Sequence, residues 1–336
     1  MNASLVIGAG HNFCCQVGPE SDSNASDGIP IVQMPTAVPV ESKGLVSISG
    51  GFKHSVFVYD DGVVLALGDD RNDQIGGQAK KAYLKPEKIS VCKEGKVIQA
   101  VCGQYYTAYL VDDGHVVICG WRNGGKPLDV KFDDKIVYIN AGFDAPCAID
   151  EHGCVYVFDS DYTKEPKKYE LSEKVYDIAR GQDLILALTV DGVVYGKKSE
   201  EEKFSKVKSL ENYKVKRVYA SYGIAGALTQ DNKVLLRAKE GFELVEGLKD
   251  VKIVQMDLGK LFSIFITEDG VLYGCGQNTH GQLLIGRTDD KPVPITMGPF
   301  TSRTKISYVK CGAHHSFAIV NGNQLPHLGA IAFNIQ

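Results

Sequence analysis

The stretch that decides the fold is "GFKHSVFVYDDGVVLALGDDRNDQIGG", Gly51–Gly77. It opens with a glycine and a His-Ser pair, alternates apolar residues up to Asp60-Asp61-Gly62, alternates again, and closes in a glycine-rich turn with Gln74 and Gly76. Period-two alternation is the pattern of a half-buried strand. Asp-Gly supplies the positive φ of a tight hairpin turn. One hairpin with a tail buries too little surface to fold alone.

The chain repeats it. The pattern returns as "GQYYTAYLVDDG" from Gly103, "GFDAPCAIDEHG" from Gly142 and "GQDLILALTVDG" from Gly181. It continues as "SYGIAGALTQDN" from Ser221, "GKLFSIFITEDG" from Gly259 and "GAHHSFAIVNGN" from Gly312. All seven copies are ungapped, and their starts lie 52, 39, 39, 40, 38 and 53 residues apart. Second strands such as "VVLALG", "HVVICG" and "VLYGCG" follow, and β-type stretches such as "KVIQAVCG" and "KISYVKCG" lie between copies. No segment carries a long helical apolar period. Repeats of about 40–50 residues with four short strands each are the signature of propeller blades. Ala108, Ala148, Ala187, Ala227 and Ala318, at the start of the hairpins, are expected to lie on the innermost strands, where backbones crowd around a channel.

The ends imply closure. "LVIGAGHNFCCQVG" carries the tail of a repeat without its start: Gly10, Asn12, Gln16 and Gly18 match the spacing of Gly68, Asp70, Gln74 and Gly76. The copy at Gly312 has a start but a poor tail, with Pro326 where a central strand would lose a donor. The expected fold is therefore all-β: a seven-bladed β-propeller, one domain over 1–336, in which residues 1–18, with Leu5–Ala9 as strand, complete the last blade. Such closure removes open sheet edges.

The pattern GxxHS…DG…GxNxxxQxG resembles the repeat of the regulator of chromosome condensation family of seven-bladed propellers. The resemblance is strongest at Gly51–Gly77, at Gly259–Gly286 and at the joined ends, and weak where the turn has become "FDSDYTKE", "GKKSEEE" and "RAKEGFE". It implies a protein-interaction scaffold without bond chemistry. Its alternative is guanine-nucleotide exchange on a Ran-type small GTPase. In that branch an acidic residue at the third position of the third copy is important, and Asp144 fills it by order. The protruding wedge of that branch has little room in "WRNGGKPLDV", and a basic N-terminal arm is missing.

Composition narrows the partners. Hydrophobic content of 44% and charged content of 23% are those of a globular chain with a sizeable core. No apolar run approaches the roughly 18 residues of a membrane span. A net charge of −4, with lysine pairs interleaved with acids, predicts no nucleic-acid partner. Nine unpatterned cysteines suit a reducing compartment, so the expected setting is intracellular, cytoplasmic or nuclear, as a monomer bound to another protein. No nucleophile elbow, zincin motif or phosphate loop is present, and no catalytic residue, metal or cofactor is expected.

The candidate partner-binding rim comprises His54, Tyr105, Trp121, Asp144, Asp183, His314 and His315. His54 and His315 share the fourth repeat position; they are either rim contacts or imidazoles bonded to neighbouring-blade backbone with help from Ser55 and Ser316. Asp144, Asp183, Tyr105 and His314 share the third position, whose variability between copies fits solvent at the rim. Trp121 is either a stapling anchor or an exposed binding aromatic. Asn12, Asp70 and Asn278 are read as turn residues bonding their own backbone, and Cys102, Cys119, Cys275 and Cys311 as small core residues.

Overall fold

The computed structural model describes residues 5–18, 21, 23–24, 28–76, 82–124, 126–297 and 304–320. Pro326 and the tail of the seventh copy lie outside them. Seven antiparallel sheets follow one another around a ring. In the first blade the strands are Leu45–Gly50, His54–Tyr59, Val64–Asp69 and Ala82–Ile89, paired in chain order. Copies beginning at Gly103, Gly142, Gly181, Ser221 and Gly259 form four-stranded blades of the same order.

The seventh blade closes the ring. Its first strands, Ile306–Cys311 and His315–Val320, are joined by Leu5–His11, which pairs antiparallel with the latter from Leu5↔Val320 to Gly10↔His315. Pro30–Ala37 and Ser23–Asn24 then extend the sheet to five strands, so the completing segment runs well past residue 18.

One expectation about the hairpins is corrected. The innermost strands are the segments before each repeat start: Leu45–Gly50, Val97–Cys102, Ile136–Ala141, Val175–Arg180, Val215–Ala220, Ile253–Leu258 and Ile306–Cys311. These line the central channel and touch one another in a closed circle. The alanines Ala108, Ala148, Ala187, Ala227 and Ala318 lie one strand further out, fully buried. Their small size serves the close packing of blade on blade, not the channel wall.

Every inner strand carries a β-bulge at the same place, between Leu45 and Ser47 in the first blade and at the equivalent pair in the other six. A bulge bends and overtwists a strand, here where each inner strand enters the ring. Hairpin turns use the positive φ expected of them, +86° at Gly62 and +66° at Asn232, which replaces glycine in the fifth copy.

There is no single core. Seven apolar clusters lie at the seven seams between neighbouring blades. The closing seam packs Val6, Val32 and Ile319 of the last blade against Ile48, Phe57 and Leu67 of the first. Phe57 meets Phe317 edge-on at 5.3 Å. Burial of an apolar side chain of this size is worth about 1.5–3 kcal/mol, so each seam is a separate source of stability and the ring links them.

Candidate interaction face

Two sets of loops emerge on the same side of the ring: those between first and second strands, which begin each repeat, and those between third and fourth strands. The second and third repeat positions surround the channel mouth, and the longer loops lie outside them.

Seven-fold convergence brings the second-position residues together. Phe52 of the first blade lies 6.3 Å from Tyr222 of the fifth, ring to ring, and Tyr222 meets Phe143 of the third perpendicularly at 4.9 Å. These aromatics bridge the channel opening. Burial holds the Tyr222 hydroxyl well above its usual ionisation range, and among the described residues its oxygen has no hydrogen-bond partner. Below this cap is a channel of about 170 Å³. Its wall is polar: Lys310 lies 3.3 Å from Asp257, and Asp177 accepts from the Val218 amide of the next blade at 3.0 Å. Burial pushes the Asp177 carboxyl up to about 7, against the pull of Arg217. Ser49, Gln99 and Asn140 likewise bond the following blade's inner strand, through Cys102 N, Ile139 and Arg180 N.

His54 and His315 are not on the rim. Both are fully buried, because each imidazole lies over the glycine that begins its repeat. A Cβ on Gly51 would stand 2.4 Å from His54 Cε1, and one on Gly312 would stand 2.3 Å from His315 Cε1. Their Nε2 atoms face hydroxyls of the next blade: His54 Nε2 lies 2.9 Å from Thr107 Oγ1, and His315 Nε2 lies 2.9 Å from Ser55 Oγ. Burial lowers the His54 pKa to about 4 and that of His315 well below the usual imidazole value. Both are neutral wall residues.

The other candidates do lie on the loop face. Asp144 and Asp183 are exposed, the latter 3.2 Å from Arg237 of the next blade. Tyr105 and His314 are half-buried and both pack near Phe52, at 6.4 and 5.6 Å between ring centroids. His314 also joins His11 and His280 in a cluster with centroids 5.2–6.4 Å apart. Trp121 is 52% exposed in a short 3₁₀ turn, with the Arg122 guanidinium 4.2 Å over its ring. Among the described residues no group of His, Cys, Asp and Glu is placed to hold a metal ion, and no helix is long and apolar enough to cross a membrane. Cys102, Cys119 and Cys311 are buried thiols and Cys275 is half-buried; all nine cysteines are free.

Phe52, Phe143 and Tyr222 were legible as a feature only by aligning the second repeat position, where three of seven copies carry an aromatic ring. Charge on the face is mixed, with exposed Asp289 and Asp290 on the sixth blade and exposed Lys164 and Lys203 on the third and fourth, but several residues of one sign group by blade. Lys53, Lys260, Arg71 and Arg122 belong to the first, second and sixth blades, whereas Asp144, Asp159, Asp183 and Glu200, Glu201 and Glu202 belong to the third and fourth.

Comparison with known proteins agrees with this architecture. The family model described as regulator of chromosome condensation repeat matches residues 61–110 and 269–319, and a second model of the same description matches 253–282. Human E3 ubiquitin-protein ligase HERC2 is 26% identical over 324 residues, covering 88% of this chain but only 6% of that protein. The mouse RCC1-like G exchanging factor-like protein is 24% identical over 360 residues, covering 94% of this chain and 71% of its own length. The crystal structure of Prp20p from Saccharomyces cerevisiae superposes with a TM-score of 0.78 at 16% identity, covering 95% of this chain and 92% of that one. Matched repeats, ring closure and blade count together show a seven-bladed propeller that carries regulator of chromosome condensation repeats.

Proposed function

We propose that the protein is a non-enzymatic interaction module that docks another protein on its loop face. The observation carrying this is the face itself: Trp121, Phe13 and Leu261 are each more than half exposed there, beside uncompensated lysines and a separate acidic sector. Exposed aromatics with flanking charge are the composition of binding hot spots. A capped channel mouth supports a broad docking surface over a substrate pocket. Prp20p, whose ring superposes on this one, has binding properties to Gsp1p and histones, a protein-binding role of the same kind. The nine free thiols fit an intracellular, reducing setting.

Site-specific photo-cross-linking tests it. A cross-linker at Leu261, on the loop face, is expected to capture a protein partner in source cells, while one at Val271, on the opposite hairpin-turn face, is expected not to. Equal capture from both, or capture from Val271 alone, refutes the reading.

Nucleotide exchange on a Ran-type GTPase is the second reading. It is favoured by the exposure of Asp144 on the same face. Against it, only seven residues separate Gly120 from the strand Leu128–Val130, and a 3₁₀ turn, Trp121–Asn123, takes up three of them.

A further inference from the structure

The basic part of the loop face is organised around one ring. Lys260 Nζ lies 5.6 Å from the centroid of Phe52, and Lys53 Nζ lies 5.9 Å from the same centroid. Lys53 Nζ is also 5.6 Å from the ring of Phe13. The lysine stems are half-buried against these apolar surfaces, and the ring faces attract the ammonium groups. Neither has a carboxylate within ion-pair distance among the described residues, whereas the nearby Arg71 and Arg237 are held by Asp69 and Asp183. At the two ends of this row, Phe13 is 54% and Leu261 52% exposed. The result is a continuous strip, Leu261–Lys260–Phe52–Lys53–Phe13, with apolar ends and two unpaired cations in the middle.

On the reading that the loop face docks a protein, we propose that this strip receives an acidic peptide segment of the partner, two carboxylates engaging Lys53 and Lys260 and apolar side chains covering Phe13 and Leu261. Alternate acids in an extended peptide are about 7 Å apart at Cα, a spacing their flexible side chains adjust to reach two cations that share one ring. The acidic sector of the third and fourth blades, with Asp144 and Asp183, repels the same segment and so fixes where on the face it lies. That sector also argues against a nucleic-acid strand. A phosphate backbone running on from Lys53 and Lys260 across the face would meet Glu200, Glu201 and Glu202.

The test is fluorescence anisotropy on the full chain. The probe is a fluorescein-labelled peptide alternating Asp and Glu with Leu and Phe; the control is its Asn/Gln isostere. The acidic peptide is expected to bind roughly tenfold more tightly than the isostere at low salt. This advantage disappears in Lys53→Gln/Lys260→Gln and is retained in Lys53→Arg/Lys260→Arg. Melting temperature is expected to be unchanged in both variants, because neither ammonium group bonds a buried carboxylate. Equal binding of the two peptides, binding of neither, or tighter binding of an oligo(dT) strand overturns the proposal. In those cases a partner still captured from Leu261 leaves the docking role intact, while loss of that capture removes the role itself.

Discussion

Ser55 donates its hydroxyl proton to the main-chain carbonyl of Gln16, 2.7 Å away and 39 residues earlier in the chain. The relation recurs one seam back, where Ser316 donates to the carbonyl of Gln282 at 2.7 Å. In each case the serine belongs to the His-Ser pair of one blade and the glutamine to the turn of the blade before it. The glutamine is itself fixed by its turn: Gln16 Oε1 accepts from Cys14 N at 3.1 Å and Gln282 Oε1 from His280 N at 2.9 Å. With its proton given to Gln16, Ser55 Oγ accepts from His315 Nε2–H. Turn, serine and histidine therefore form one joint between blades.

Removing the hydroxyl leaves a buried carbonyl without its donor, which costs about 1–3 kcal/mol. Ser55→Ala and Ser316→Ala are each expected to lower stability by that amount in urea unfolding. Ser263 occupies the same repeat position and is equally buried, but the fifth blade before it has no such turn. Ser263→Ala is expected to cost well under 1 kcal/mol. Equal losses at all three positions would show that burial alone, not the joint, sets the effect.

The glycine at a repeat start answers to the ring four positions into the copy. A Cβ on Gly259 would stand 1.8 Å from Phe262 Cε1. Overpacking of this kind costs about 1–3 kcal/mol, so Gly259→Ala should melt markedly earlier than wild type. The fifth blade carries the compensated version, Ser221 with Ile224 and no ring. Adding Phe262→Ile to Gly259→Ala is therefore expected to recover part of the loss, measured as a positive coupling in a double-mutant cycle.

Acid should loosen the ring through its buried histidines. Burial sets the His54 pKa at about 4, with Asp69 pulling the other way. The unfolded chain takes up this proton near pH 6.5 and the folded chain only near 4, so stability falls as pH drops through that window, by roughly 3 kcal/mol from this residue. Asp177, raised to about 7 by burial, acts oppositely, costing stability as pH rises from about 4 to 7. In His54→Phe, which imitates Phe262 at the same repeat position, the melting temperature should decline less steeply from pH 6.5 to 4.5 than in wild type. An unchanged slope would remove His54 from the account.

Closure predicts a loss larger than one strand. Deleting residues 1–11 removes Leu5–His11 from between His315–Val320 and Pro30–Ala37 and strips Ile7 and Ala9 from the sixth–seventh seam. The truncated chain is expected to unfold at lower urea with a broadened transition, because two seams lose contacts at once. A sharp transition at the wild-type midpoint would mean that the ring does not depend on this strand.

For exchange activity, wild type is expected to give no acceleration of fluorescent GDP release from a Ran-type GTPase. A roughly hundredfold acceleration, about 2.7 kcal/mol of barrier, that is abolished by Asp144→Ala without loss of stability would establish the second reading instead.

Blade number, ring closure and hairpin turns were legible because they rest on spacing, which a repeat displays many times over. Asp61-Gly62 announces its turn locally, and Gly10, Asn12 and Gln16 announce their partnership by repeating the spacing of a complete copy. The rim was only partly legible. Asp144, Asp183 and Trp121 are exposed, but His54 and His315, polar residues in loop-adjacent positions, are buried. The motif GxxHS places a glycine three residues before each histidine but does not show that the ring folds back over it, out of solvent. Aligning the second repeat position shows the aromatic residues, but not that they meet: Phe52, Tyr222 and Lys260 are far apart in sequence and come together only because a closed ring brings every repeat start to one mouth.

By itself the sequence determined what each copy does locally, since hydrogen-bonded turns and alternating strands depend on neighbours along the chain. Only the tertiary structure decided which strand lines the channel, which histidines leave solvent, and that Ser55 and Gln16 are two halves of one joint. Those outcomes depend on the contact of one blade with the next, and that contact exists only once the ring has closed.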